Sequence, residues 1–286
     1  MTRRLVLFIL FVPTKLLNFL KFIFVKDFSL VRVILMHDIP KDSLHIFEKQ
    51  IDHISKKWNF LTPDDFCEYV EGRKTLKGRN VLLTFDDGFK SNKDVALNIL
   101  SKKNIKALFF VISDFVKLKD KDKQKEFITS KLYPEWRNIK LDESLLNEEP
   151  MSIDDLKLLI SNGHSIGCHT SSHENLGIIE DEETLKYEIV DGANFLQREL
   201  EQEIKFFAYS FGELNSFSQK ALDIARSRFD FIFTGMRGNN KQNNSASIRR
   251  DSLSIKDSLF EVSSIMEGSA DFRYFSDLKE LNSWID

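Results

Sequence analysis

The chain has 286 residues and a formal net charge of −3, and 42% of its residues are hydrophobic. This length suits one large α/β domain or two small ones, and the hydrophobic fraction is sufficient for a sizeable core. The slightly negative charge and the lack of a basic stripe argue against nucleic acid as the main partner. Two cysteines, Cys67 and Cys168, are too few for a disulfide framework, so we expect reduced thiols.

Residues 1–26 form a hydrophobic segment with recurring positive charges. Residues 5–12 are wholly apolar, Pro13 interrupts the run, and Lys15 and Lys21 then recur at helical spacing. This is a poor transmembrane span, which needs about 20 apolar residues with few charges, and no small-x-small cleavage site follows it. The spacing is typical of an amphipathic helix in the membrane interface. A membrane span, a signal peptide and a terminal helix packed on the domain are the alternatives.

Residues 27–286 alternate strand-like runs with helical patterns, which predicts one α/β domain. The predicted strands are Val31–Met36, Val81–Phe85, Ala107–Ile112, Ser165–Cys168, Phe206–Tyr209 and Phe229–Phe233. The predicted helices between them are Leu44–Lys57, Ser91–Lys103, Ile153–Ser161 and Glu182–Leu200. Such alternation favours a parallel sheet, and six or more units of this kind favour a barrel.

Residues 113–150 interrupt this alternation. The stretch from Lys117 to Lys125 is nearly all charged, and the periodicity up to Pro150 is weak. We therefore expect a solvated insertion, partly ordered as a lid.

Two adjacent carboxylates, Asp86 and Asp87, follow the apolar run Val81–Phe85 directly, and Gly88 comes next. Residues at the carboxyl end of a parallel strand point into the ligand crevice. Because two carboxylates there repel each other, a cation or a shared proton is expected beside them. The alternative is an ordinary turn or helix cap, since Asp-Asp-Gly is a common turn sequence.

Two histidines, His169 and His173, follow another predicted strand and are four residues apart. Either one alone is more simply a satisfied core or surface histidine. Together with a carboxylate from the earlier strand end, they form a set able to bind a metal and leave a position for water. The sequence therefore indicates a metal hydrolase, and we assign the neighbouring His164 to a structural role.

These motifs resemble those of the polysaccharide deacetylases of carbohydrate esterase family 4. Thr84–Gly88 matches the first motif of the family, His169–His173 matches the second, and Phe207–Gly212 resembles the third. The resemblance extends over roughly residues 31–253. It implies a distorted (β/α) barrel with its site at the carboxyl ends of the strands, and hydrolysis of an N-acetyl group from an amino sugar.

The resemblance also implies a role for each matched residue. Asp86 matches the general base, and Asp87, His169 and His173 match the metal ligands. The metal is usually zinc, although a set of two histidines and one carboxylate also suits another divalent transition metal such as iron(II) or cobalt. The backbone N–H of Phe211 lies where the family helps to stabilise the oxyanion.

The chain departs from the family pattern in two places. Ser210 occupies a proline position of the third motif, and the arginine that many members have in this motif has no counterpart here. In addition, no histidine follows His173 to act as the general acid. His37, after the first predicted strand, is similar to an N-terminal histidine that serves as the acid in poly-N-acetylglucosamine deacetylases. We therefore predict His37 as the general acid, with a capping or core histidine as the alternative.

The predicted substrate is an N-acetylated amino sugar in a surface glycan or in its lipid- or nucleotide-linked precursor. The predicted membrane association of the N-terminal segment and the reduced cysteines favour a location of the protein at the cytoplasmic face of the membrane. A span by residues 5–25 would instead place the domain outside, where peptidoglycan or an exopolysaccharide is the better candidate. The alternatives are a sugar-binding barrel without catalysis and an amidase or deformylase. The sequence does not indicate an oligomeric state.

Overall fold

The computed structural model describes residues 3–134 and 148–285, which form a parallel sheet surrounded by helices. The strands are β1 (Ser29–Met36), β2 (Asn59–Phe60), β3 (Gly78–Phe85), β4 (Ala107–Val111), β5 (Ser165–Cys168), β6 (Phe206–Ala208), β7 (Phe231–Phe233) and β8 (Asp251–Ser252). The α-helices are α1 (Arg3–Phe24), α2 (Leu44–Ser55), α3 (Pro63–Val70), α4 (Lys90–Val95), α5 (Ser113–Lys117), α6 (Lys121–Phe127), α7 (Ile153–Ser161), α8 (Glu182–Lys186), α9 (Gly192–Leu200), α10 (Gln219–Arg228), α11 (Leu259–Met266) and α12 (Phe275–Ile285).

All strand pairs are parallel, in the order β7-β6-β5-β4-β3-β1-β8, and β2 pairs with β3. β1 and β3 are in register from Ser29 beside Gly78 to Met36 beside Phe85. The residues that follow Met36 and Phe85 therefore leave the sheet side by side. This places the segment after β1 next to the paired aspartates.

The segment of residues 245–253 joins the two ends of this sheet. The N–H of Thr234, just after β7, donates to the carbonyl of Ile248 at 2.8 Å, and the N–H of Leu253 donates to the carbonyl of Leu35 in β1 at 3.0 Å. The sheet is thus curled into the distorted barrel of the polysaccharide deacetylase type, and the predicted fold class is confirmed.

The strands are apolar on both faces because helices cover the sheet outside and side chains fill it inside. Val81, Leu82 and Leu83 are consecutive in β3 and all buried, as expected of a parallel strand with no solvent face. On the side of the sheet that packs against the outer helices, the rings of Phe85 and Phe109 stack with their centroids 5.1 Å apart, and Phe47 of α2 contacts Phe85. This packing fixes the carboxyl end of β3, where the aspartates follow.

The first part of the predicted insertion, residues 113–132, is helical rather than merely solvated. α5 and α6 are followed by a π-helical turn, Ile128–Leu132. Phe115, Ile128 and Leu132 pack with Phe89 in a small hydrophobic cluster beside the barrel mouth. The rest of the predicted insertion includes residues 135–147, which lie outside the described residues. The proposed boundaries at 1–26, 27–286 and 113–150 stay predictions.

Helix α1 lies along α11 on the outside of the barrel. The ring of Phe11 contacts Phe260 with centroids 5.2 Å apart. Further along, the buried Asn18 donates to the carbonyl of Glu267 at 2.9 Å and to its carboxylate at 3.0 Å. Within the described part of the chain, α1 contains a stretch, Leu5–Phe24, that is long enough and apolar enough to cross a membrane.

Candidate active site

The loop after β3 turns sharply because two successive residues adopt left-handed backbone conformations. Asp87 has φ +72° and Gly88 has φ +87°. A Cβ atom at Gly88 would lie 3.0 Å from Cγ1 of Val111, so glycine is favoured here by the tight space as well as by the conformation. The turn places both aspartate side chains on the same side of the barrel mouth, facing the loop after β5.

Three of the predicted residues form a cluster able to bind a metal. One ligand atom from each of Asp87, His169 and His173 lies within 4.8 Å of the other two, and all three residues are buried. Asp87 Oδ1 is 3.7 Å from Nε2 of each histidine. One carboxylate oxygen and two imidazole nitrogens suit zinc with an open position for water. The structure thus brings the predicted ligand set together.

Backbone carbonyl groups orient both histidines toward this cluster. His169 Nδ1 is 2.8 Å from the carbonyl oxygen of Ala208, and His173 Nδ1 is 3.1 Å from that of Lys131. Because a carbonyl oxygen only accepts, each Nδ1 carries the hydrogen, and in the neutral ring each Nε2 presents a lone pair to the cluster. Carbonyl partners of this kind are typical of metal-binding histidines. Lys131 belongs to the π-helical turn of the predicted insertion.

Backbone strain is concentrated around the same cluster. Asp87, Thr170, His173 and Phe211 are non-glycine residues with φ between +63° and +72°. Each such residue costs on the order of 1–3 kcal/mol and persists only where its surroundings fix it. Thr170 Oγ1 contributes to this by accepting the N–H of His173 at 2.9 Å. The loops are therefore held in conformations that local propensity does not favour.

Asp86 forms a buried ion pair that the sequence analysis missed. Arg250 Nη1 donates to Asp86 Oδ1 at 2.6 Å, and Arg250 Nε donates to the carbonyl of Thr234 at 2.9 Å. Arg250 is 1% exposed and Asp86 is 2% exposed. Burial acts to raise the pKa of Asp86, but the charge of Arg250 opposes it and the net pKa is lowered. Asp86 is therefore ionised at neutral pH.

The remaining predicted site residues also lie at this end of the barrel. His37 follows β1, near enough to Asp86 for a positive charge on its ring to contribute to lowering the pKa of that carboxyl, and its carbonyl accepts from Asn92 Nδ2 at 3.2 Å. The ring of Phe211 lies 4.8 Å from the ring of His173. His164, in contrast, is structural: its Nδ1 accepts the N–H of Ala107 at 3.1 Å.

The described residues thus place an acid–histidine cluster at the mouth of a (β/α) barrel. Residues 73–227, more than half of the chain, match the family model described as polysaccharide deacetylase. The chain belongs to the polysaccharide deacetylase family. By family it is therefore a carbohydrate deacetylase. No curated protein matches the chain significantly.

Solved structures confirm the fold. IcaB from Ammonifex degensii is 23% identical, with a TM-score of 0.64 over 84% of this chain and 97% of that one. The deacetylase PplD from Streptococcus pyogenes, in complex with acetate, is 19% identical, with a TM-score of 0.64 over 83% and 98%. A de-N-acetylase from Aggregatibacter actinomycetemcomitans is 16% identical, with a TM-score of 0.63 over 82% and 99%.

Proposed function

We propose that this chain is a metal-dependent hydrolase that removes the N-acetyl group from an amino sugar. The observation that carries the proposal is the juxtaposition at the barrel mouth. An ionised aspartate paired with Arg250 stands beside a second aspartate that forms, with two oriented histidines, a cluster able to bind a metal. A sugar-binding barrel without chemistry has no need of this pair of carboxylates.

Asp87, His169 and His173 would hold the metal, with zinc as the first choice. When bound, such an ion polarises the amide carbonyl and lowers the pKa of a water molecule to about 7. Asp86 accepts the proton of the attacking water as general base. His37 donates a proton to the departing amine, and the N–H of Phe211 donates to the developing oxyanion.

The proposed substrate is an N-acetylated amino sugar in a surface glycan or in its lipid- or nucleotide-linked precursor. Family membership supports the carbohydrate, and the position of His37 after β1 supports a poly-N-acetylglucosamine-type arrangement of the acid. A lipid-linked substrate would be held at the membrane, where α1 could place the barrel.

We also propose that α1 lies in the membrane interface, with the cytoplasmic face favoured. Val12, Leu16 and Phe24 are 68%, 56% and 79% exposed on its outward side, whereas Asn18 faces the domain. Lys15 and Lys21 contact aromatic rings at its flanks, where they can meet anionic headgroups. Spanning the membrane would require α1 to leave α11 and to break both hydrogen bonds of Asn18.

Flotation with vesicles that contain anionic lipid tests the membrane proposal. We expect the protein to float with the vesicles, and Val12→Glu in the outward face of α1 to reduce the floated fraction. Ile178→Glu, at an apolar residue 76% exposed outside α1, is the matched control and should float like the wild type. Equal flotation of all three proteins would contradict the role of α1.

Metal analysis and acetate release from N-acetylglucosamine oligomers test the catalytic proposal. We expect about one equivalent of zinc or a similar ion in the purified protein, and none in Asp87→Ala. Acetate release should be lost in the same variant. Absence of bound metal in the wild type, even after zinc is supplied, would leave the sugar-binding barrel as the better interpretation. Metal without acetate release from sugars, but with hydrolysis of other amides, would favour the amidase or deformylase.

A further inference from the structure

A π-helical turn contacts the loop that carries the two histidines. α8 and α9 are joined by residues Tyr187–Asp191, which continue the helix with π-type hydrogen bonding. Turns of this kind are rare and are frequently found at functional sites. Neither the metal ligands nor the catalytic groups lie on this helix, so its function requires another explanation.

The π-helical turn binds the residues between the two histidines directly. Glu188 accepts the backbone N–H of Ser172 at 2.9 Å and the hydroxyl of Ser172 at 2.5 Å, one bond to each carboxylate oxygen. The carbonyl oxygen of Tyr187 accepts the hydroxyl of Ser171 at 2.6 Å. Glu188 is 2% exposed, and burying a carboxylate is unfavourable unless both of its oxygens are satisfied. Here both oxygens are satisfied by the same loop residue.

The residue that follows the π-helical turn permits this close contact. A Cβ atom at Gly192 would lie 2.8 Å from Ser171 Oγ and 3.1 Å from Ser113 Oγ. A side chain at this position would crowd Cα of Ser171 at 3.3 Å and displace the Ser171 hydroxyl from its bond to Tyr187, so glycine favours the close approach. The approach is thus specified both by a missing side chain and by the hydrogen bonds of the preceding turn.

The conformation of the loop explains why such contacts are needed. Thr170 and His173 both have φ +63°, which is unfavourable for residues with a Cβ atom. The N–H of Ser172, which Glu188 accepts, belongs to the peptide between Ser171 and Ser172, one peptide before that of His173. On its other side, the loop is fixed by the carbonyl of Lys131, which accepts from His173 Nδ1.

We propose that Glu188 is a positioning residue that holds the loop between His169 and His173 in the conformation that binds the metal. It acts through Ser172 and does not touch the metal or the substrate. Metal affinity, rather than the chemistry of the bound amide, is therefore the property that it controls. The inference rests on the proposed function, since it requires that these histidines bind a metal.

Three variants separate this role from a general effect on folding. Glu188→Ala removes both hydrogen bonds. Glu188→Gln keeps them, because its amide oxygen accepts the N–H of Ser172 and its amide nitrogen donates to the hydroxyl. Glu183→Ala removes a carboxylate from the exposed side of the same helix and is the matched control.

The measurement is zinc affinity, from competition with a chromophoric chelator, on purified proteins first stripped of metal. We expect Glu188→Ala to bind zinc 10–100-fold more weakly, the usual range for loss of a partner behind the ligands. Glu188→Gln should lie within a few-fold of wild type, and Glu183→Ala should be unchanged. The visible absorption of the cobalt-loaded proteins should change in Glu188→Ala alone, because the arrangement of the ligands is altered.

The outcomes distinguish failure of the proposed metal site from failure of the positioning role of Glu188. A wild-type protein that binds neither zinc nor cobalt contradicts the proposed metal site before any variant is compared. Wild-type affinity in a folded Glu188→Ala protein overturns the positioning role. An equal loss in Glu188→Gln and Glu188→Ala also overturns it, since charge and not hydrogen-bond geometry would then matter. If Glu188→Ala does not fold, Ser172→Ala removes the hydroxyl donor alone, and unchanged zinc affinity there counts against the proposal.

Discussion

Replacing Arg250 with methionine should destabilise the protein strongly and remove its activity. Arg250 is 1% exposed and forms the 2.6 Å ion pair with Asp86, so its loss leaves a buried carboxylate without its cation. Removing one partner of a buried ion pair costs about 3–5 kcal/mol. A domain has only about 5–15 kcal/mol of folding free energy in total. The Arg250→Met protein should therefore unfold at much lower urea concentration than the wild type.

A double-mutant cycle separates the ion pair from the packing of the arginine side chain. In the combined Arg250→Met and Asp86→Asn protein, neither charge of this ion pair remains, so most of the lost stability should return. Arg250→Lys keeps the charge but cannot bind both Asp86 and the carbonyl of Thr234, and it should lie between the wild type and Arg250→Met. The wild type, the single variants Arg250→Met and Asp86→Asn, the double variant and Arg250→Lys are compared by urea unfolding after removal of metal, so that bound zinc does not contribute.

Two results would refute this reasoning. One is a loss below about 1 kcal/mol in Arg250→Met, which corresponds to an exposed ion pair and not a buried one. The other is a double variant no more stable than Arg250→Met, which would assign the effect to packing. Acetate release provides a second readout, because Arg250 also keeps the proposed base ionised and in place. We expect a folded Arg250→Met protein to lose about 10²–10⁴-fold in rate, the contribution typical of a general base.

Asp86→Asn should retain bound metal while its rate of acetate release falls by about 10²–10⁴-fold, and near-normal activity would remove Asp86 from the role of base. His37→Ala should slow release of a poor amine leaving group more than that of an activated one, and an equal effect on both would argue against its role as acid. Burial lowers the pKa of His164 to about 4 from its usual 6.5, so the folded state binds this proton less readily than the unfolded chain. Stability should therefore be complete above pH 6.5 and fall by up to about 3 kcal/mol as the pH drops through 4. Urea unfolding at pH 7 and pH 4.5 should show that His164→Asn, which keeps an acceptor for Ala107, loses less of its stability at the lower pH.

The alternation of apolar runs and turn residues was enough to predict the six principal strands. It failed for β2 and β8, because two-residue strands carry no periodic signal. β7 begins at Phe231, two residues after the predicted start, because Asp230 and Phe231 first bond to Lys205 outside the ladder. The positions of Asp86, Asp87, His169 and His173 could be predicted because each follows directly from the end of a recognisable strand.

Long-range partners were not predictable in the same way. Arg250 and Asp86 are 164 residues apart, and no spacing or local propensity connects them. Their contact depends on the segment that joins β7 to β1, which has little strand character in the sequence. Glu188 lies within the predicted helix Glu182–Leu200, and nothing in its spacing distinguishes it, since a π-helical turn has no clear sequence signal. The sequence did not indicate which side of α1 packs on the domain, because the helix is apolar nearly all round.

The segment that closes the barrel also carries Arg250, and this has a consequence for protein synthesis. Ribosomes add about 5–20 residues per second, so Arg250 is made roughly 10–30 s after Asp86. During that interval β3 can pair with β1, but Asp86 still lacks its buried cation. The nascent chain therefore carries its proposed base without the partner that keeps it ionised. Maturation of the base should coincide with closure of the barrel, so that a growing or truncated chain is inert toward acetylated sugars in its surroundings.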